Sequence, residues 1–187
     1  MRDRFGTRKY CSGFTLIEVL MTMVVLAILV AIAVPTFSVW YPNYRLRSAA
    51  MDLYTNFQMT KSKAINNNRE YAVVFNLGGG SYQIVSGGND GSISSAGDNV
   101  VEETITLSKY ESGVNYGPGS AVNNWNGDAI GSSVTFGGNQ EVFTGRGTAN
   151  SNGTVYVQNK NNVRAYAVTG VMSGFIKMRK WNGAAWQ

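Results

Sequence analysis

The spacing of apolar residues changes character twice along this chain. From Phe14 to Val34, 21 residues run almost wholly apolar, interrupted by Thr15, Glu18 and Thr22. As an α-helix that run is about 32 Å long, close to the roughly 30 Å of a bilayer's hydrocarbon core. Pro35 and Pro42 follow, each a predicted kink or local break because proline lacks an N–H and crowds the preceding turn. Helical spacing then resumes: Leu46, Ala50, Leu53, Phe57 and Ala64 form one stripe, with Ala49 and Ile65 beside it. Asn43 is the expected N-cap and Asn66 to Asn68 the expected stop. Such a stripe predicts a core face laid on a sheet, and leaves Arg45, Arg47, Lys61 and Lys63 as solvated or subunit-contact charges.

After Arg69 the period falls to two. EYAVVFNL and SYQIVS read as a hairpin around Gly78, Gly79 and Gly80, and VVEETITLSKY as a further strand. The C-terminal third offers SVTFG, EVFTGRGTA, GTVYVQN, RAYAVTGV and GFIKMRKW as short strands between Gly and Asn turns. The expected fold is α+β: a long N-terminal helix, its first half transmembrane, on a small and mainly antiparallel sheet domain. GGNDGSISSAGDN is a polar loop whose Asp90 and Asp98 fit turn chemistry better than a calcium-loop spacing. The long stretch around GVNYGPGSAVNNWNGDAIGSS is irregular.

Charge sharpens the reading of the first helix. The first 13 residues place Arg2, Arg4, Arg8 and Lys9 against Asp3, so the leader holds three of the chain's net +5. A basic flank before the apolar run and none after it predicts a cytoplasmic N-terminus and an exported remainder. A cleavable secretory signal would carry its small-residue site after the run, where VPTFSVWYP is a poor one. Trp40, Tyr41 and Tyr44 lie just beyond, where aromatic rings suit the membrane interface. The chain has no His and a single Cys, Cys11, read as a reduced leader residue. Zinc sites and His-based triads therefore lack their usual groups, and GRGTANSNG lacks both the spacing and the Lys-Ser/Thr pair of a phosphate loop. No metal or cofactor is expected.

GFTLIEVLMTMVVLAILVAIAVP, from Gly13 through Pro35, resembles the N-terminal signature of type IV pilins and pseudopilins. The resemblance implies that a membrane prepilin peptidase cuts between Gly13 and Phe14 and methylates the new amine of Phe14. It also makes Glu18 the family's acid. An acid at bilayer depth costs on the order of 2.5–3.5 kcal/mol. A Phe14 amine offers it a partner, either within one subunit, about one helical turn away, or in a neighbouring subunit. The residues permit both; the family implies the intermolecular pairing, which would favour assembly. The chain thus divides into a cleaved basic leader at 1–13, a transmembrane and filament-core helix at 14–35, the second half of the long helix at 36–68, and a periplasmic β-rich domain at 69–187.

A second resemblance covers RSAAMDLYTNFQMTKSKAINNNREYAVVF, VFTGRGTANSNGTVYVQN and VTGVMSGFIKMRKW, which are similar to the GspH/FimT group of minor pseudopilins and pilins. It implies the pilin fold and a minor structural subunit of a type II secretion pseudopilus or a type IV pilus, helping assembly near the tip. The implied partners are the prepilin peptidase, other pilins or pseudopilins, an inner-membrane assembly platform and the membrane. The implied location is the bacterial inner membrane and then the filament.

The alternative is a DNA-binding minor pilin acting in DNA uptake. Arg164, Lys177, Arg179 and Lys180 are the candidate phosphate contacts, with Trp181 and Trp186 as candidate stacking partners. Phe175 stands after Gly174 where the DNA-binding members have arginine, a departure from that pattern. Alternation along a strand puts Lys177 and Arg179 on one face and Lys180 on the other. Catalysis is not expected. Glu102 and Glu103 are strand neighbours that point to opposite sides, and no nucleophile comes with a base.

Overall fold

A computed structural model describes residues 13–187 apart from Ala96 and Ser112, and leaves the side chains of Pro35, Thr36 and Val39 undescribed. The basic leader and Cys11 lie outside the described residues. The chain divides into two compact units, Met1–Val39 and Trp40–Gln187.

Helix α1 runs Leu16–Asn67. Helical geometry persists through both Pro35 and Pro42, so the expected local break is absent, and Asn43 lies inside the helix and does not cap a new one. Each proline removes one backbone bond, a local cost of about 3 kcal/mol, while the turns on either side remain good helix. The C-terminal stop falls where the Asn run predicts it. Asn68 takes the left-handed conformation at φ 49°. Its amide bonds the Ile65 carbonyl and the Arg69 amide the Ala64 carbonyl, the paired Schellman bonds that close a helix end.

In the first unit every apolar side chain described between Phe14 and Val34 is exposed, and Leu16–Val34 is long and apolar enough to cross a membrane. The second unit holds the core. Leu46, Ala49, Ala50, Leu53, Phe57 and Ala64 are buried as the stripe requires, and Thr60 joins them by donating its hydroxyl to the Asn56 carbonyl at 2.6 Å. Ile65 departs from the stripe and is 45% exposed.

Among the described residues, eight strands form two antiparallel sheets. The first has the order β3-β2-β1-β5, with β1 Tyr71–Asn76, β2 Ser81–Ser86, β3 Val100–Thr106 and β5 Gln140–Phe143. The second has the order β4-β6-β7-β8, with β4 Asn115–Tyr116, β6 Gly153–Gln158, β7 Ala165–Gly170 and β8 Ile176–Trp181. The β1–β2 hairpin turns where the glycines predict, the Asn76 side chain accepting the Gly79 amide at 2.9 Å. SVTFG does not become a strand. It makes one bridge, Val134 to Val155, because the Thr135 hydroxyl accepts the Thr154 amide in place of a ladder carbonyl.

One core joins α1 to both sheets. Phe57 sits at its centre, with ring centroids 6.1, 5.9 and 6.0 Å from Phe75, Phe136 and Phe143. A smaller cluster of Ala72, Val85, Ile93 and Val142 fills the opposite face of the first sheet. The polar loop before β3 covers it, folded by its own acids: Asp98 accepts the Asn89 and Asp90 amides, and Asp90 accepts the Ser92 amide. Those contacts are turn chemistry of the kind the composition predicts.

Candidate functional site

The first site is the start of α1. Gly13, Phe14 and Thr15 precede the helix without regular structure, Phe14 is 82% exposed, and open space surrounds the Gly13 Cα. The bond between Gly13 and Phe14 is therefore presented outside the helix. Thr15 is the N-cap: its Oγ1 accepts the Glu18 amide at 3.3 Å, and its carbonyl accepts the Val19 amide at 3.2 Å. Thr15-x-x-Glu18 is thus a capping-box sequence ahead of an apolar run, a signal that the hydrophobic pattern alone passes over. Glu18 stands in the first turn, where the helix dipole favours an anion. Among the described residues no cation lies within 4 Å of its carboxylate.

Eight of the basic residues of the second unit fall into three groups. Three of the helix cations fasten α1 to its own domain and are not simply solvated. Arg45 bonds Tyr41 and pairs with Glu111 at 3.3 Å. Lys61 donates to the Gly174 carbonyl at 2.8 Å, and Lys63 pairs with Glu102 at 2.6 Å. Glu102 is thereby a structural ion-pair partner whose carboxyl is held below its ordinary value; burial opposes that shift, and the Lys63 bond and charge, with Tyr71, outweigh it.

Lys177 and Arg179 form the second group, on the outer face of β8. Arg179 lies over the Trp125 ring at 3.9 Å and lines a shallow hollow with Lys177, Thr154, Thr169 and the exposed Phe175. Trp181 and Trp186 are half-buried. Their indole N–H groups donate to the Ser120 hydroxyl and the Asn123 carbonyl, and their centroids stand 5.5 Å apart. They hold the C-terminus against β8, where Lys180 and Gln187 exchange backbone bonds of 2.8 Å, so they are not free stacking platforms.

Arg164 and Lys180 form the third group, on the face toward α1, with Arg47. Lys180 follows Ile176 and Met178 on the inner side of β8 and is paired across the ladder with Tyr166. Arg164 immediately precedes β7, held by the turn in which the Asn162 amide bonds the Asn159 carbonyl. The Asn159 amide group then donates to the Asn43 side chain of α1 at 3.1 Å. Alternation along β8 is as expected, but the four predicted residues do not converge. Arg47, which the sequence offered only as a generic charge, completes the inner group.

A long helix opening on a capped, apolar, fully exposed segment and then laid across antiparallel sheets defines a pilin-like filament subunit. The family model described as type II transport protein GspH matches residues 49–174, and the prokaryotic N-terminal methylation motif matches residues 8–34. The chain belongs to the GspH family of minor pseudopilins and pilins. The same fold occurs in the minor pseudopilin EpsH of the Vibrio cholerae type 2 secretion system, at 12% identity and a TM-score of 0.50 over 72% of this chain and 95% of that one. The type IV minor pilin FimU of Pseudomonas aeruginosa aligns at 13% identity and a TM-score of 0.47, over 78% of this chain and 94% of that one. No curated protein sequence matches significantly. The methylation motif implies prepilin processing, and family membership implies association with other pseudopilins or pilins.

Proposed function

We propose that this chain is a non-catalytic minor subunit that enters a type II secretion pseudopilus or type IV pilus and helps assembly near its tip. One observation carries the reading. The apolar side chains from Phe14 to Val34 are exposed, while the domain's core is filled by the later part of α1. That apolar surface needs lipid before assembly and neighbouring helices after it. In this reading the prepilin peptidase cuts between Gly13 and Phe14 and methylates Phe14. The N-terminus faces the cytoplasm, the domain stands in the periplasm, and an inner-membrane platform drives insertion into the filament. Glu18 meets the Phe14 amine of an adjacent subunit.

N-terminal sequencing of membrane-extracted protein tests the processing step: the mature chain begins with a methylated Phe14. Recovery of the intact leader overturns it. Incorporation of Glu18→Val into sheared filaments at the wild-type level overturns the assembly contact.

Nucleic-acid binding is the second reading, resting on Lys177 and Arg179 beside Trp125. It is the weaker one, because Arg164 and Lys180 lie on the other face and Arg179 already engages an aromatic ring. A mobility shift that weakens as salt rises and is lost in Lys177→Gln supports it. The absence of any shift retires it.

A further inference from the structure

The inner basic group lines a cleft of about 390 Å³ that the assembly reading does not use. Arg47, Arg164 and Lys180 converge there, Trp40, Tyr44 and Tyr166 supply aromatic walls, and among the described residues no acid lines it. Among the described residues, none of the three cations has a carboxylate within 4 Å. Tyr166 is buried, which pushes its phenol up, while Arg47 and Arg164 pull it back down. The backbones are held by the Asn159–Asn43 bond, the Tyr166–Lys180 pairing and the Gln187 clamp on Lys180, so the cleft exists without a ligand.

We propose that this cleft binds the phosphodiester headgroup of an anionic phospholipid. Two arginines and a lysine suit a phosphate: the guanidinium forks hydrogen-bond its oxygens, and the ammonium adds a point charge. Position along the chain selects lipid over other phosphates. Trp40 follows the last residue of the apolar run, Val34, by only six residues in sequence. Helix side chains lean toward the N-terminus, so Arg47 leans over the turn that carries Asn43 and Tyr44. Trp40 and Tyr44 stack at 5.3 Å and 19° on that side, an aromatic rim of the type found at headgroup level. Bound lipid would hold the domain at the membrane surface before the subunit leaves the membrane.

This assignment rests on the reading of Leu16–Val34 as a membrane anchor, and one experiment separates the two. The full chain is reconstituted into phosphatidylcholine vesicles with and without phosphatidylglycerol, sedimented, extracted in mild detergent, and weighed by native mass spectrometry. Wild type is expected to sediment with both vesicles and to retain phosphatidylglycerol several-fold over phosphatidylcholine. Arg164→Gln/Lys180→Gln is expected to sediment equally and lose that preference. Arg146→Gln/Lys160→Gln, which removes the same charge at exposed positions elsewhere, is expected to keep it. If the first pair does not fold, Arg47→Gln, at an exposed position, is expected to reduce the preference by itself. Sedimentation without headgroup preference, or a preference untouched by these changes, overturns the cleft assignment alone. Failure to sediment overturns the anchor on which it rests. A single-stranded oligonucleotide that binds wild type but not Arg164→Gln/Lys180→Gln, with no lipid preference, assigns the cleft to nucleic acid and also overturns it.

Discussion

Ser151 donates its hydroxyl to Glu141 Oε2 at 3.1 Å, and among the described residues that is the one hydrogen bond the Glu141 carboxyl makes. Glu141 is 0% exposed, its other oxygen has no partner, and burial raises its pKa from 4.5 to about 7 despite the serine. In the interval from 4.5 to about 7 the folded chain binds the proton and the unfolded chain does not. This contribution to stability is therefore fully present below 4.5 and is lost as pH rises through about 7, by about 3 kcal/mol in all. Glu141→Gln removes most of that slope, which urea unfolding of the detergent-solubilised chain across this range measures. A wild type equally stable throughout contradicts the assignment.

Gly174 is held at φ 76° with its Cα against the Gly147 carbonyl, where an added Cβ would come within 1.9 Å of the oxygen. The same turn receives Lys61 from α1. Gly174→Ala therefore strains the backbone and pushes the turn off the helix, at a cost of about 2–4 kcal/mol. Lys61→Met loses only the one charge-assisted bond, about 1.5–3 kcal/mol. Thermal unfolding of the two variants side by side gives the ranking.

The Phe57 ring on α1 packs against the rings of Phe75, Phe136 and Phe143 together. Phe57→Ala opens a cavity between α1 and the first sheet and costs about 3–5 kcal/mol. Phe57→Leu costs less. Limited proteolysis of the domain, or loss of the protein from membranes, reads the difference.

At the start of α1, capping and charge are separable. Thr15→Ala removes the cap and costs about 1 kcal/mol of local helix stability, seen as faster hydrogen exchange at the Glu18 amide. Glu18→Gln keeps a side chain able to close the capping box but carries no charge. If pairing with a neighbour's amine is what Glu18 does, Gln enters filaments as poorly as Val. Near-normal incorporation of Glu18→Gln assigns the residue to helix capping.

Much of this protein is legible in one dimension. The exposed apolar helix, the buried stripe from Leu46 to Ala64, the asparagine stop, the glycine hairpin and the alternation that turns Lys180 away from Lys177 and Arg179 all follow from periods of 3.6 and 2. Glu141 was legible in principle, two residues before Phe143 on the same face of β5, because strand neighbours at that spacing share a side. Local periodicity reports which face a residue takes, and it needs no knowledge of what lies opposite.

What lies opposite was settled by folding alone. Continuity of α1 through Pro35 and Pro42 is a contest between a local loss and cooperative helix on both sides. The bonds of Lys61 to Gly174 and of Lys63 to Glu102 join residues far apart in the chain. The gathering of Arg47 with Arg164 and Lys180 depends on the register that brings β7 and β8 beneath α1. Hydrophobic spacing in this sequence determined the elements and their inward faces. The long-range packing of those faces decided which charges fasten the fold and which three line one cleft.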